Sequence, residues 1–293
     1  MFRGTFTALV TPFRHDEVDA DVFAQLIEEQ IAGGVTGIVP VGTTGESPTL
    51  SCGERHHVIE LAVERANGRC LVIAGTGSNS TRDAMTHTKE AEEIGVDGAL
   101  LVAPYYNKPS QEGLFCHFAA IAEATELKLV LYNIPGRCAV DIAADTVLRL
   151  AERFPNIVAI KEASGSVDRV SELVRRAPAN FTVLSGDDSL TLPFLSVGAV
   201  GVVSVASNLF PKEISQLVQL FSDGEAEAAR RLHQKFYPLF KDLFIEPNPV
   251  PVKTALGWRG AIAPDCRLPL TRMSKPNEDR LRRTLTELKQ TLG

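Results

Sequence analysis

The chain has 293 residues, of which 44% are hydrophobic, 23% charged and only 6% aromatic, enough apolar content to bury a full core and to exclude a disordered chain. Thirty Lys and Arg against 36 Asp and Glu leave a net charge of -6, with no basic block longer than a pair such as Arg175-Arg176, which excludes a dedicated nucleic-acid surface. The five cysteines (Cys52, Cys70, Cys116, Cys138, Cys266) are odd in number, widely spaced and without a CxxC pair, a usage that fits a reducing cytoplasm.

Met1 to Phe13 carries Arg3 but no apolar core segment and no small-residue cleavage site, so it does not read as a signal peptide. Thr5 to Val10 is instead the first of eight short β-branched or apolar runs. The others are Thr36 to Val41, Leu71 to Gly75, Asp97 to Ala103, Lys128 to Asn133, Asn156 to Lys161, Thr182 to Gly186 and Val200 to Val205. Their starts recur about every 28 residues on average, close to the roughly 30 per unit of a (β/α)8 barrel. The intervals carry helical periodicity. Phe23, Leu26, Ile27 and Ile31 follow i, i+3, i+4, i+8 up to the stop at Gly33-Gly34. Ser51 with Glu54 forms a capping box ahead of Val58, Leu61 and Ala62, and the stripe returns in Val167, Val170, Leu173 and Val174 and in Ile214, Leu217, Val218 and Phe221. Strict alternation of strand and helix selects a parallel sheet, and eight units favour a closed (β/α)8 TIM barrel over an open doubly wound sheet.

Ser189 to Pro211 is uncharged and long enough on paper to span a bilayer. Pro193, Gly198, Gly201, Ser204, Ser207 and Asn208 divide it into a short helix, a turn and a buried strand, so no membrane span is expected. After residue 222 the strand signal stops. The expected division is a catalytic barrel over residues 1–222 and an appended helical segment over 223–293. Leu232, Phe236, Leu239, Phe240 and Leu243 form one apolar face of that segment, and Leu281, Leu285, Leu288 and Leu292 another. Pro247-Asn248-Pro249-Val250-Pro251 between them reads as a stiff extended connector.

In such a barrel the chemistry belongs at the C-terminal ends of the strands. The sixth run ends in Lys161. Period-two alternation puts Ile157, Ala159 and Lys161 inside and Val158 and Ile160 outside. On the fifth run the same alternation brings Tyr132 into the layer beside Lys161. A lysine with an ordinary pKa is neutral about once in 2,500 molecules at pH 7, so a nucleophilic role needs desolvation or a cationic neighbour, and a phenol can relay the protons. Gly42-Thr43-Thr44-Gly45-Glu46-Ser47 sets two hydroxyls between glycines, as in a small-carboxylate cradle or a capped βα turn. Arg137, just past the fifth run, offers a planar fork to a second carboxylate. Gly75-Thr76-Gly77-Ser78-Asn79-Ser80 lacks the third glycine of a dinucleotide fingerprint. Ser185-Gly186-Asp187-Asp188 puts two carboxylates where many barrels bind phosphate, and this disfavours a phosphorylated substrate. The six histidines, His15, His56, His57, His87, His117 and His233, fall away from strand ends without an HExxH motif, so the site reads as metal-free.

At these residues the chain resembles the dihydrodipicolinate synthase branch of the N-acetylneuraminate lyase family, nearly end to end. The likeness rests on Gly42 to Ser47, Pro104-Tyr105-Tyr106-Asn107 with Pro109 to Gly113, Tyr132 to Arg137, Ile160-Lys161-Glu162, Ser185 to Asp188, and Glu246-Pro247-Asn248-Pro249. The resemblance implies that Lys161 forms a Schiff base with pyruvate, with no separate cofactor. The derived enamine then attacks L-aspartate 4-semialdehyde on the way to lysine through diaminopimelate. It also implies that Tyr132, Thr44 and Tyr106 relay protons, with Tyr106 reaching in from a neighbouring subunit. Thr43 and Thr44 would hold the pyruvate carboxylate, Arg137 the semialdehyde carboxylate, and the backbone at Gly186 and Val203 would line the pocket. Members are usually dimers or dimers of dimers, that is, homotetramers.

One departure concerns regulation. Lysine-inhibited relatives carry histidines in a dimer-interface site where this chain has Cys52 and Arg55, while Ser47, Asn79, Asp83 and Tyr105 still suit an amino acid. A cation at Arg55 opposes an ammonium ligand, so weak or absent lysine inhibition is expected. Two other readings are weighed against the synthase. One is a 2-keto-3-deoxy sugar acid or N-acetylneuraminate-type aldolase, which would be expected to offer more polyol hydrogen bonds near Arg137; the other is a non-catalytic ligand-binding barrel. Lys253 is the rival amine.

Overall fold

The computed structural model describes residues 2–292, and the side chain of Leu292, expected on the last apolar face, lies outside the described residues. Eight parallel strands form one closed barrel: β1 (Gly4–Ala8), β2 (Gly37–Val39), β3 (Leu71–Gly75), β4 (Gly98–Val102), β5 (Lys128–Asn133), β6 (Ile157–Glu162), β7 (Thr182–Ser185) and β8 (Gly201–Ser204), each paired with the next and β8 with β1. All eight expected runs are strands. The seam between β8 and β1 explains the glycine at 201. A Cβ on Gly201 would come within 2.0 Å of the Gly4 carbonyl oxygen, so the closing strands approach closely only without a side chain there.

Each strand is followed by a helix: α1 (Ala20–Ala32), α2 (Cys52–Ala66), α3 (Thr81–Ile94), α4 (Gln111–Glu123), α5 (Ala144–Arg153), α6 (Val167–Arg176), α7 (Thr191–Ser196) and α8 (Pro211–Ser222). The capping box is present, with Ser51 N–H donating to Glu54 Oε2 at 2.8 Å and Glu54 N–H to Ser51 Oγ at 3.3 Å. The uncharged run 189–211 resolves as expected into α7, a turn and β8. Among the described residues no helix is long and apolar enough to cross a membrane. A short hairpin, Phe13–Arg14 with Glu17–Val18, was not foreseen, since two-residue strands have no readable periodicity.

Three helices complete the chain: α9 (Ala226–Asp242), α10 (Val250–Trp258) and α11 (Lys275–Leu292). Phe236, Leu239, Phe240 and Leu243 are buried, as are Leu281 and Leu288, each side chain contributing about 1.5–3 kcal/mol by leaving water. The proline run is not the extended connector expected. Pro251 sits in the first turn of α10, so the run nucleates a helix instead of continuing as an extended strut, because a first-turn residue needs no intrahelical N–H bond.

A second correction concerns β6. Leu129 pairs with Ile157 but Val130 with Ala159, so Val158 is an extra residue bulged out of register. Ile157 therefore packs outward with Ile160 and Leu131 under the helices, and Val158 packs against the cluster that holds Val130 and Tyr132. Ala159 and Lys161 keep the inward face, since the bulge precedes them. Glu162, the last residue of that strand, is fully buried and paired with Arg169 Nε at 2.8 Å, and it also accepts from Ser164 N–H at 2.7 Å. This network ties the Lys161 end of β6 to the start of α6.

Candidate active site

Lys161 lies one residue before the end of β6, opposite Tyr132 on β5 and Leu184 on β7. It is 6% exposed, and its Nζ sits 4.1 Å from the centre of the Tyr132 ring. Burial draws its pKa from the ordinary lysine value down to about 7; the nearby Asp188 carboxylate opposes this and the Arg137 guanidinium adds to it. The amine is thus neutral in about half the molecules at pH 7, where an exposed lysine would be almost wholly charged. Ketone capture by this amine is predicted to weaken as pH falls below about 7 and to level off above it, because only the unprotonated form attacks. Quenched-flow trapping of the imine between pH 5.5 and 9 measures this, and a flat profile would contradict it.

The Tyr132 phenol is buried, and burial raises its pKa, keeping the hydroxyl protonated and able to donate. The nearby Thr43 side chain opposes this rise. Thr44, expected to stand in the relay, is buried in the same cavity wall, but its Oγ1 accepts a bond from Asn248 Nδ2 at 2.9 Å. The wall also holds Ala8, Val39, Arg137, Gly186 and Val205. Gly186 is required by space: a Cβ there would lie 3.1 Å from Lys161 Cγ and 2.8 Å from the Ala163 side chain. Just past the end of β8 the lining residue is Val205. Val203, opposite Phe6, lies one inward layer beneath. Tyr106, at φ 73 on the loop after β4, is 89% exposed and absent from the wall.

The two acids after β7 are spent on structure. Asp187 Oδ1 accepts from Ser189 N–H at 2.8 Å. Asp188, 2% exposed, accepts from Ser204 Oγ at 2.5 Å and from the N–H groups of Val205 and Ala206 at 2.9 and 3.0 Å, stitching β7 to β8. Burial raises its pKa to about 6 despite these bonds. The rival amine Lys253 is fully buried, with Nζ 2.6 Å from Glu46 Oε1 and 2.9 Å from the Thr11 carbonyl oxygen, so it is engaged as a paired cation.

Beside this pocket lies a larger cavity of about 340 Å³ that shares Thr43, Ile134 and Arg137 with it. Ser47, Cys52, Arg55 and Tyr105 of the expected regulatory set line it, together with His87, which was not expected there. Asn79 and Asp83 do not line it. The Asn79 carbonyl accepts from Asn107 Nδ2, and Asp83 stands in the first turn of α3. Arg55 donates to the Gly75 carbonyl oxygen at 3.1 Å.

A lysine brought near neutrality by burial, beside a phenol at the C-terminal mouth of a closed (β/α)8 barrel, defines an imine-forming barrel of the class I aldolase kind. Comparison with known proteins narrows the class. The chain belongs to the dihydrodipicolinate synthetase family, whose model matches residues 1–288. It is 50% identical over 287 residues to the 4-hydroxy-tetrahydrodipicolinate synthase of Endomicrobium trichonymphae, covering 98% of both chains. The structure of the 4-hydroxy-tetrahydrodipicolinate synthase from Methylacidiphilum fumariolicum SolV superposes with a TM-score of 0.99 at 58% identity, covering 100% of this chain and 97% of that one. A pyruvate complex of the chloride-inhibited dihydrodipicolinate synthase from Acinetobacter baumannii matches with a TM-score of 0.96 at 44% identity over 99% of each chain.

Proposed function

We infer that the chain is a 4-hydroxy-tetrahydrodipicolinate synthase (EC 4.3.3.7), acting in lysine biosynthesis through the diaminopimelate route. The single observation that carries the mechanism is the desolvated Lys161 amine 4.1 Å from the Tyr132 ring. Lys161 Nζ adds to the ketone carbon of pyruvate, the carbinolamine loses water, and the imine loses a methyl proton to become an enamine. The enamine carbon bonds to the aldehyde carbon of L-aspartate 4-semialdehyde, whose aldehyde oxygen takes a proton. The semialdehyde amine then attacks the imine carbon and displaces Lys161, closing the ring and regenerating the free amine. Tyr132 and the Thr43 and Thr44 hydroxyls are the proton carriers in this scheme, Thr43 and Thr44 hold the pyruvate carboxylate, and Arg137 at the rim takes the second carboxylate. Gly186 gives the pyruvyl group room beside Lys161, and Val205 closes the side after β8 with Val203 supporting it from the layer beneath.

Tyr106, exposed and in the left-handed region, suits a residue that completes the site of a neighbouring copy, in a dimer or a dimer of dimers. The five free cysteines suit a cytoplasmic location. The proposed division of labour keeps the reacting groups in residues 1–222, with the C-terminal segment from residue 223 bracing the barrel mouth and supplying Asn248 to the pocket wall.

A coupled assay with pyruvate and L-aspartate 4-semialdehyde tests the assignment. Rapid condensation is expected, and faster turnover of a 2-keto-3-deoxy sugar acid would reverse it. Lysine inhibition is expected to be weak or absent, because a second ammonium would have to share the cavity with the half-buried Arg55 guanidinium. A submicromolar inhibition constant would refute that.

A further inference from the structure

Glu46 and Lys253 take no part in the scheme above, yet they are 2% and 0% exposed. Both Glu46 oxygens are engaged, Oε1 with Lys253 Nζ at 2.6 Å and Oε2 with the Arg267 N–H at 2.9 Å. Lys253 also reaches the Thr11 carbonyl oxygen, and Thr11 Oγ1 donates to the Gly45 carbonyl oxygen at 2.8 Å. Phe13 lies against two cations, with Lys253 Nζ and the Arg267 guanidinium carbon each 4.3 Å from its ring centre.

Glu46 sits in the left-handed region at φ 54, and its N–H donates to the Thr43 carbonyl oxygen at 3.1 Å. The hydroxyl turn therefore reverses at Glu46, and whatever fixes that carboxylate fixes Thr43 and Thr44. Asn248, in the same C-terminal stretch as Lys253, holds Thr44 Oγ1 from the other side. A well-packed apolar pair of similar volume would serve stability as well as a buried ion pair or better, whereas an ion pair demands one geometry.

We propose that the Glu46–Lys253 pair is a positioning device through which the C-terminal segment sets the Thr43-Thr44 turn at the height where its hydroxyls meet pyruvate on Lys161. Both are positioning residues that touch no substrate. The proposal rests on the pyruvate reading given above.

The test uses Lys253→Met and the double variant Glu46→Gln with Lys253→Met. The single variant leaves a lone buried carboxylate and should lose thermal stability, whereas the double variant removes both charges and should recover it. Both are expected to raise the KM for pyruvate about tenfold or more and to slow borohydride trapping of pyruvate to match. The KM for the semialdehyde, which depends on Arg137 on a different loop, should stay within about twofold. Recovery of stability without recovery of pyruvate handling supports positioning. Glu46→Asp, which keeps both charges on a shorter arm, is a check independent of the charge change and should show the same pyruvate-selective loss. A double variant or a Glu46→Asp variant with the wild-type pyruvate KM and trapping rate overturns the proposal, as does an equal rise in both KM values. Absence of trapping in the wild type overturns the pyruvate reading itself, and so is distinguishable from failure of the positioning role.

Discussion

Replacing Lys161 by Met is expected to lower turnover by on the order of 10⁴-fold or more, about 5 kcal/mol of transition-state stabilisation, while making the protein more stable. The first part follows because among the described residues no other lysine lines the cavity, Lys253 being locked to Glu46. The second follows from the lowered pKa. An unfolded lysine holds its proton up to about pH 10.4, whereas folded Lys161 releases it near 7, so burying this group costs on the order of 4 kcal/mol at pH 7. Below about pH 7 both states are protonated and the cost is complete. Between about 7 and 10.4 the unfolded chain binds more protons, so the wild type gains stability as pH rises and the advantage of Lys161→Met shrinks. Denaturant unfolding of both proteins at pH 7 and 9.5 measures this. A variant less stable than the wild type at pH 7 would mean that the amine is well solvated.

Tyr132→Phe is expected to reduce both turnover and pyruvate trapping by about 10²–10³-fold with little change in thermal stability. The ring that covers Lys161 Nζ remains, so the desolvation of the amine is retained. What disappears is a protonated donor kept neutral by burial, next to Thr43, at the step where the carbinolamine hydroxyl must leave as water. Single-turnover trapping separates this from a binding defect, and a trapping rate within about threefold of the wild type would remove Tyr132 from the chemistry.

Much of this site was legible in the sequence, for a physical reason. Barrel strands buried on both faces read as short apolar runs, and alternation then assigns Tyr132 and Lys161 to the interior from local information alone. The same logic failed one residue earlier. Ile157 was assigned inward because nothing in Asn156 to Lys161 announces the bulge at Val158, which exists only in the pairing with β5. Glu46 was visible as part of a turn and Lys253 as a stray amine, but their meeting across 207 residues of chain is a property of the folded molecule. Asn248 bonding to Thr44 is of the same kind. The Pro247 to Pro251 run shows a different limit: prolines fix φ and remove donors, and both properties suit an extended strut and a helix first turn equally. The Tyr106 ring is exposed and away from the pocket wall, so any part it takes in the site rests on the proposed second copy.

The proposed chemistry depends on a Lys161 amine that is buried, uncharged in about half the molecules at pH 7 and facing the pocket. Incubation with pyruvate and borohydride followed by peptide mass mapping tests it most directly. One reduced pyruvyl group on the peptide that carries Lys161, absent from Lys161→Met, is the predicted result; an unmodified Lys161, or modification spread over exposed lysines, would contradict it.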